Sequence, residues 1–162
     1  MKPKHEDMFM RIAEAVALTS SATRAKVGAV IVKDGHCIST GYNGFPMHLN
    51  GPCELLNGTT DPRVRHAEKN ALMGLTKTNE SSVGATVFCT LSCCESCAHD
   101  MIDAGIKEFV YRDTYRDSTG LDLLKQAAGV VRQYKEFMSQ KKRTAEVHSL
   151  ATVILLTGKE QE

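Results

Sequence analysis

The chain is predicted to fold as an α/β domain, a three-layer α-β-α sandwich around a mixed central sheet, and three observations carry that prediction. Apolar residues recur at helical spacing in four stretches and fall at strand length in five others. After an opening hairpin the two kinds of stretch alternate, which calls for crossover connections and helices on both faces of one sheet. Composition agrees, since 162 residues with 42% hydrophobic and 24% charged suit a single domain with a real core. That domain is read over 1–162, with its core over about 6–134 and a C-terminal extension over 135–162.

The first element is a helix from about Glu6 to Leu18, because Phe9, Ile12, Ala13, Val16 and Ala17 share one face. Two strands follow, Gly28 to Lys33 and Cys37 to Tyr42, joined by Asp34-Gly35, a strong hairpin signal. Past the loop signal Asp61-Pro62, Ala67, Ala71, Leu72 and Leu75 mark a helix that begins at His66. An apolar run from Val83 to Leu91 gives a strand near Thr86 to Thr90. The next helix, Glu95 to Ala104, carries Ala98, Met101, Ile102 and Ala104 at helical spacing. A strand at Glu108 to Tyr111, a helix from about Thr119 to Ala128 and a strand near Val130 to Tyr134 complete the alternation.

Two short motifs sit at the starts of two of these helices: His66-Ala67-Glu68 and Cys94-Glu95-Ser96-Cys97. Taken singly, each has ordinary explanations. A Cys-x-x-Cys also suits a redox pair, half of a structural zinc site or two buried thiols. A lone histidine at a helix start is commonly a cap, and a lone glutamate there suits the dipole. Together they offer one imidazole, two thiolates and a carboxylate left over. A tetrahedral zinc bound by the first three keeps its fourth position for water, and a carboxylate that does not bind the metal can move protons between that water and a substrate. The helix starts favour thiolate over thiol at both cysteines.

The pair resembles the zinc nucleobase deaminase signature, H-x-E followed by P-C-x-x-C. The resemblance implies Zn2+ on His66, Cys94 and Cys97, with Glu68 as the catalytic acid and base. Glu68 would take a proton from the activated water, deliver one to the ring nitrogen beside the attacked carbon and later protonate the departing amine. Three further segments, Arg24-Ala25-Lys26-Val27-Gly28-Ala29-Val30-Ile31-Val32, Ser39-Thr40-Gly41-Tyr42-Asn43-Gly44-Phe45-Pro46 and Ala104-Gly105-Ile106-Lys107-Glu108-Phe109-Val110-Tyr111, resemble the deoxycytidylate (dCMP) deaminases, a likeness that runs from about Phe9 to Tyr134. It implies the cytidine deaminase-like fold and conversion of dCMP to dUMP, the precursor for thymidylate synthesis. One position departs from the pattern: Cys93 stands where the family has proline, and the register that keeps the two-residue spacer takes Cys94 and Cys97 as ligands.

The same resemblance assigns the substrate and effector contacts. Asn43 is expected to hydrogen-bond the deoxyribose or base, and the backbone of Ala67 to meet the cytosine edge. Arg24 and Lys26 are candidates for the 5′-phosphate, approached from the other side by Tyr115 with Arg116, since arginine suits forked contacts with phosphate oxygens. Gly41, Tyr42, Asn43 and Gly44 form the expected effector site, with dCTP activating, dTTP inhibiting, Mg2+ accompanying the triphosphates, and a homo-oligomer, a hexamer in the family.

Other features are read from the residues. His36, Cys37, His48 and Cys53 offer donors for a second, structural zinc, but at no regular spacing, and Cys37 is expected instead on the buried face of its strand. The loop from Phe45 to Arg65 is long enough to serve as a lid. A net charge of +1 without a long basic run gives little footprint for a nucleic acid, so a free nucleotide is the expected substrate. No signal-peptide or membrane-spanning run appears, and a thiolate site wants reducing conditions, so the expected compartment is the cytoplasm, that of the host cell for a phage-encoded chain, without disulfides. In the tail, Phe137 and Met138 with the run Lys141-Lys142-Arg143 suit a short helix, the basic triplet forming a solvated face, while in the apolar stretch Val147 to Leu156 the residues Val153, Ile154, Leu155 and Leu156 are expected to pack on the core or on a neighbouring subunit. The alternatives are a related zinc deaminase acting on dCTP, a free nucleoside or tRNA adenosine, and a non-enzymatic zinc-binding module, which Glu68 disfavours because a structural site closes with four protein ligands.

Overall fold

The computed structural model describes residues 1–46 and 48–135, so the expectations for Phe137, Met138, Lys141-Lys142-Arg143 and Val147 to Leu156 lie outside the described residues. The chain runs α1 (Pro3–Ala17), β1 (Gly28–Lys33), β2 (His36–Tyr42), α2 (Ala67–Leu75), β3 (Thr86–Leu91), α3 (Glu95–Asp103), β4 (Glu108–Asp113), α4 (Thr119–Gln126) and β5 (Val130–Gln133). Helix α1 begins three residues earlier than predicted because Pro3 opens it, a position where the missing donor costs nothing and the ring presets φ. Helix α4 stops short of the predicted Ala128, which turns to a φ of 60°.

The five strands form one mixed sheet in the order β2-β1-β3-β4-β5. Strand β1 is antiparallel to both neighbours, while β3, β4 and β5 run parallel. Asp34 and Gly35, both at positive φ, make the tight turn between β1 and β2. Each face of the sheet is covered, so β1 is buried on both sides and reads as a continuous apolar run. On one face α1 lays Phe9, Met10 and Ala13 against Val30, Val32, Phe88 and Val110, with the Phe9 and Phe88 rings 5.6 Å apart. On the other, α2, α3 and α4 pack Ala71, Leu72, Ala98, Met101, Leu121 and Leu124 over Ala29, Ile31, Val87, Cys89 and Phe109.

The register decides where a site can form. Gly28 opposes Tyr42 and Ala29 opposes Cys89, so the start of β1 and the end of β2 lie beside the end of β3. Leu91 opposes Asp113, which brings the end of β4 to the same edge. The carboxyl ends of parallel strands are where open α/β sheets bind ligands. Here that edge gathers residues 24–27, 42–45, 91–94 and 113–116.

Two local features bear on these loops. Gly41 lies directly under α2, and a Cβ added there would sit 2.3 Å from the Ala71 nitrogen and 2.4 Å from the Ala67 oxygen. Gly41→Ala is therefore expected to destabilise the fold by about 2 kcal/mol or more, since backbone cannot swing aside; a thermal midpoint equal to wild type would contradict this. Cys37, expected on a buried face, is instead exposed. Strand β2 is the sheet edge, so a residue type that is usually buried stands open to solvent here, next to a register shift at Ile31/Val32.

The Phe45 to Arg65 loop is closed at its base by the Gly44–Arg65 bridge and carries a small hairpin bridged at Glu54–Thr60. Buried Asp61 accepts the backbone N–H of Arg63 and both arms of its guanidinium, at 2.8, 3.0 and 2.7 Å. Those hydrogen bonds, from the side chain first, hold the Asp61 carboxyl down to about 2 from an ordinary 3.8. A depressed carboxyl stabilises above its unfolded value and loses that contribution as pH falls through the folded one. The loop should thus hold above about pH 4 and loosen toward about pH 2, and a carboxyl titration of Asp61 by NMR with an ordinary midpoint would refute the pairing. No helix among the described residues is long and apolar enough to cross a membrane.

Candidate active site

The motif residues meet at the edge defined above because each begins a helix that returns from it. His66 is the N-cap of α2 and Cys94 the N-cap of α3, and neither side chain caps its own helix. Their side chains turn instead toward each other and toward Cys97 in the first turn of α3. The His66 Nδ1 lies 3.3 Å from the Cys94 Sγ and 3.4 Å from the Cys97 Sγ. All three donor atoms lie within 4.8 Å of one another, and they form the one such group found among the described residues. A tetrahedral zinc with ordinary bond lengths would set nitrogen–sulfur edges of about 3.6 Å and a sulfur–sulfur edge of about 3.8 Å. The donor set fits that ion. His36, Cys37, His48 and Cys53 form no comparable group among the described residues; Cys53 is buried with its sulfur 3.2 Å from the Ser21 hydroxyl.

The charge balance points the same way. Hydrogen bonds from Cys97 first, then from His66, hold the Cys94 thiol down to about 3. Cys97 is pushed up, by its bond to Cys94, by burial and by the charge of Glu68. Contact with Cys94 raises the His66 ring. The two neighbouring sulfurs thus compete for one negative charge, a conflict that a divalent ion would relieve so that both could bind. Cys93 is fully buried and outside the donor group, and burial pushes its thiol up.

Glu68, one residue into α2 beyond Ala67, is only 4% exposed, and burial raises its carboxyl against the pull of its own backbone N–H and of His66. A carboxyl so placed takes up and releases protons nearer neutrality than a surface glutamate. It lines a pocket of about 570 Å³ together with His66, Cys94, Arg24, Asn43, Ala67 and Tyr115. As the first residue of α2, Ala67 has a backbone N–H without an intrahelical acceptor. Arg24 reaches the hydroxyl of Thr60 through its guanidinium. Arg116 shares the pocket and lies over the Tyr115 ring, 5.5 Å from its centre.

The Asn43 side chain has two attachments within the protein. Its Oδ1 accepts the Val27 N–H at 2.8 Å and its Nδ2 donates to the Ala25 carbonyl at 2.8 Å, stapling the segment before β1. An amide keeps a second lone pair and a second N–H, so one contact of each kind remains for a ligand. Lys26, Gly41, Tyr42 and Gly44 do not line the pocket. Tyr42 is exposed, and Gly44 exchanges backbone hydrogen bonds with Arg65.

Residues that the sequence did not single out complete the walls. Glu54 accepts the N–H groups of Thr23 at 3.1 and 3.2 Å and of Arg24 at 3.3 Å, fixing the segment that carries Arg24. Buried Ser92 accepts the Tyr115 N–H at 2.7 Å and so ties the β4 end to the cysteine loop. Ser92 stood in view beside the cysteine motif, but Glu54 meets partners about thirty residues away, and no local pattern marks it.

Comparison with known proteins gives a consistent result. Residues 3–113 match the model of the cytidine and deoxycytidylate deaminase zinc-binding region. The deoxycytidylate deaminase of Saccharomyces cerevisiae is 36% identical over 146 residues, covering 83% of this chain, which spans only 46% of that protein. The deoxycytidylate deaminase of Mycobacterium phage D29 is 34% identical over 124 residues, covering 68% of this chain and 95% of the phage protein. Among solved structures, the dCMP deaminase of cyanophage S-TIM5 in complex with dCMP and dUMP superposes with a TM-score of 0.80 at 40% identity, covering 82% of this chain and 98% of the other.

Proposed function

Because the chain belongs to the cytidine and deoxycytidylate deaminase zinc-binding family, we propose that it hydrolyses dCMP to dUMP and ammonia, supplying dUMP for dTTP synthesis. The observation that carries the proposal is the buried Glu68 beside the donors of His66, Cys94 and Cys97 at one end of a nucleotide-sized pocket. Zinc held by those three side chains would supply Lewis acidity and an activated water at neutral pH. Glu68 takes one proton from the attacking water and passes it to the ring nitrogen next to the amino-bearing carbon, then takes the second from the newly added hydroxyl as the carbonyl forms and gives it to the leaving amine. The Ala67 N–H and the spare amide positions of Asn43 orient the base and sugar. Water adds and ammonia leaves, so the balance closes without a redox partner.

The 5′-phosphate is assigned to Arg24, with Tyr115 and Arg116 facing it across the pocket. Arg24→Ala is expected to raise KM for dCMP about 10- to 100-fold with kcat little changed, the scale of one charge-assisted hydrogen-bonding group. It should leave the weak turnover of deoxycytidine alone. Equal losses on both substrates would show that Arg24 supports the fold and does not read the phosphate. A site matched to one phosphate also rejects dCTP, because unmatched buried charges cost several kcal/mol.

Regulation extends the proposal: dCTP, with Mg2+, activates and dTTP inhibits through Gly41, Tyr42, Asn43 and Gly44 in a homo-oligomer, a hexamer by family likeness. Two contacts support a link between that stretch and the chemistry. Gly41 lies against the backbone of α2, which carries Glu68, and Asn43 lines the pocket itself. A sigmoidal dCMP curve that dCTP makes hyperbolic is the expected result, and indifference to both triphosphates the opposing one. One catalytic domain with its core over 6–134, acting on a free nucleotide in a reducing cytoplasm, accommodates this activity.

A further inference from the structure

We infer that Gly120, in the first turn of α4, is a positioning residue for the metal-ligand loop: its lack of a side chain lets α4 close on the backbone of Cys93 and Cys94 and so fixes the Cys94 sulfur. The inference rests on the metal site proposed above. The segment from Leu91 to Glu95 passes from the end of β3 to the start of α3 with no side-chain cap on that helix, and Cys93 leaves φ unlocked where a proline would fix it. Something else must hold the loop. From one side the Asp113 carbonyl accepts the Ser92 N–H at 2.8 Å, and the Ser92 hydroxyl accepts the Tyr115 N–H at 2.7 Å.

From the other side comes Gly120, which is buried. A Cβ at this position would lie 2.5 Å from the Cys93 oxygen and 2.6 Å from both the carbonyl carbon and oxygen of Cys94. These are backbone atoms, so no rotamer change relieves the overlap; either α4 or the ligand loop must shift. Both are anchored, since Cys93 belongs to the same core cluster as the apolar face of α4. Leu121 and Leu124 anchor the helix in the core, and Asp117 accepts the Thr119 N–H at 2.9 Å and its hydroxyl at 2.5 Å. A displacement of the loop by a few tenths of an ångström at Cys94 falls directly on the 3.3 Å separation from the His66 Nδ1.

The test compares wild type, Gly120→Ala and Gly129→Ala as full-length protein. Gly129 lies beyond the other end of α4, where a Cβ would meet the Leu124 oxygen at 2.9 Å, so its variant stresses the same helix away from the cysteines. Zinc affinity is read by competition with a chromophoric chelator, and ligand geometry by the thiolate charge-transfer and d–d bands of the Co2+ form. Gly120→Ala should bind zinc about 10- to 100-fold more weakly and shift the Co2+ bands, the scale seen when a group supporting a ligand is lost. Gly129→Ala should keep the wild-type affinity and spectrum even where its melting temperature falls.

Wild-type affinity and spectrum in Gly120→Ala would overturn the inference alone, as would an equal loss in Gly129→Ala, which would mark general destabilisation. Wild-type protein that binds neither ion would overturn the metal site itself. Should Gly120→Ala fail to fold, Asp117→Ala loosens the same turn from the exposed side. A severalfold loss of zinc affinity with Co2+ bands shifted from their wild-type positions supports the inference, and an unaltered site refutes it.

Discussion

Glu68→Gln is expected to lower kcat for dCMP by roughly three to four orders of magnitude while zinc content and melting temperature stay at or above wild type. The amide has the carboxylate's shape, so the pocket wall is kept, but it cannot carry a proton from water to the ring nitrogen or to the leaving amine. Stability should not suffer, because the side chain is buried and its charge is disfavoured there by desolvation. Removing that charge also relieves one of the groups that keep the neighbouring Cys97 protonated, so metal binding has no reason to weaken. Residual turnover within about tenfold of wild type would assign the proton transfers elsewhere.

Cys97→Ser is expected to abolish activity by the opposite route, through loss of the metal. Cys97 is 2% exposed, in the first turn of α3, and its sulfur is one of only three protein donors in the cluster. Replacing a thiolate ligand should weaken zinc by well beyond the about 10- to 100-fold typical of a lost supporting group. Wild-type protein stripped by a chelator should lose turnover and regain it on zinc addition, while the serine variant should not recover at stoichiometric zinc. Cys93→Ala provides the contrast: it removes a buried thiol outside the donor group and should retain zinc. Zinc lost in Cys93→Ala and kept in Cys97→Ser would mean that the ligand register is wrong.

The grouping of the three donors was legible in the sequence because the residues that build it are local. His66 and Glu68 share one turn, Cys94 and Cys97 another, and each pair stands where an apolar periodic run begins, so helix starts and donors could be read together. The layer order was legible for the same reason, since both faces of β1 are apolar and its neighbours alternate with helices. Contacts made across the sheet edge were not. Glu54 reaches Thr23 and Arg24, and Gly120 reaches Cys93 and Cys94, through the chain's return to one edge of the sheet, which no spacing encodes. Cys37 was misplaced because cysteine is usually buried, whereas the edge strand β2 leaves this position open to solvent.

Asn43 shows a subtler limit. Its position before a glycine at a strand end resembles a ligand contact, yet the structure also uses both ends of its amide to staple Ala25 and Val27. Removing it would loosen the segment that carries Arg24 as well as any sugar contact, so a loss of activity in Asn43→Ala would not separate the two roles. Arg24→Ala is the cleaner probe of the proposed phosphate end of the pocket, because its guanidinium hydrogen-bonds a loop hydroxyl and lies near the Glu54 carboxylate without stapling the segment as Asn43 does.

Ammonia release from zinc-loaded protein supplied separately with dCMP, deoxycytidine, dCTP and CMP tests the central claim most directly. Strong turnover of dCMP is expected, with little of the other three and none after zinc is removed. Zinc-bound protein that releases ammonia from none of them would contradict the claim.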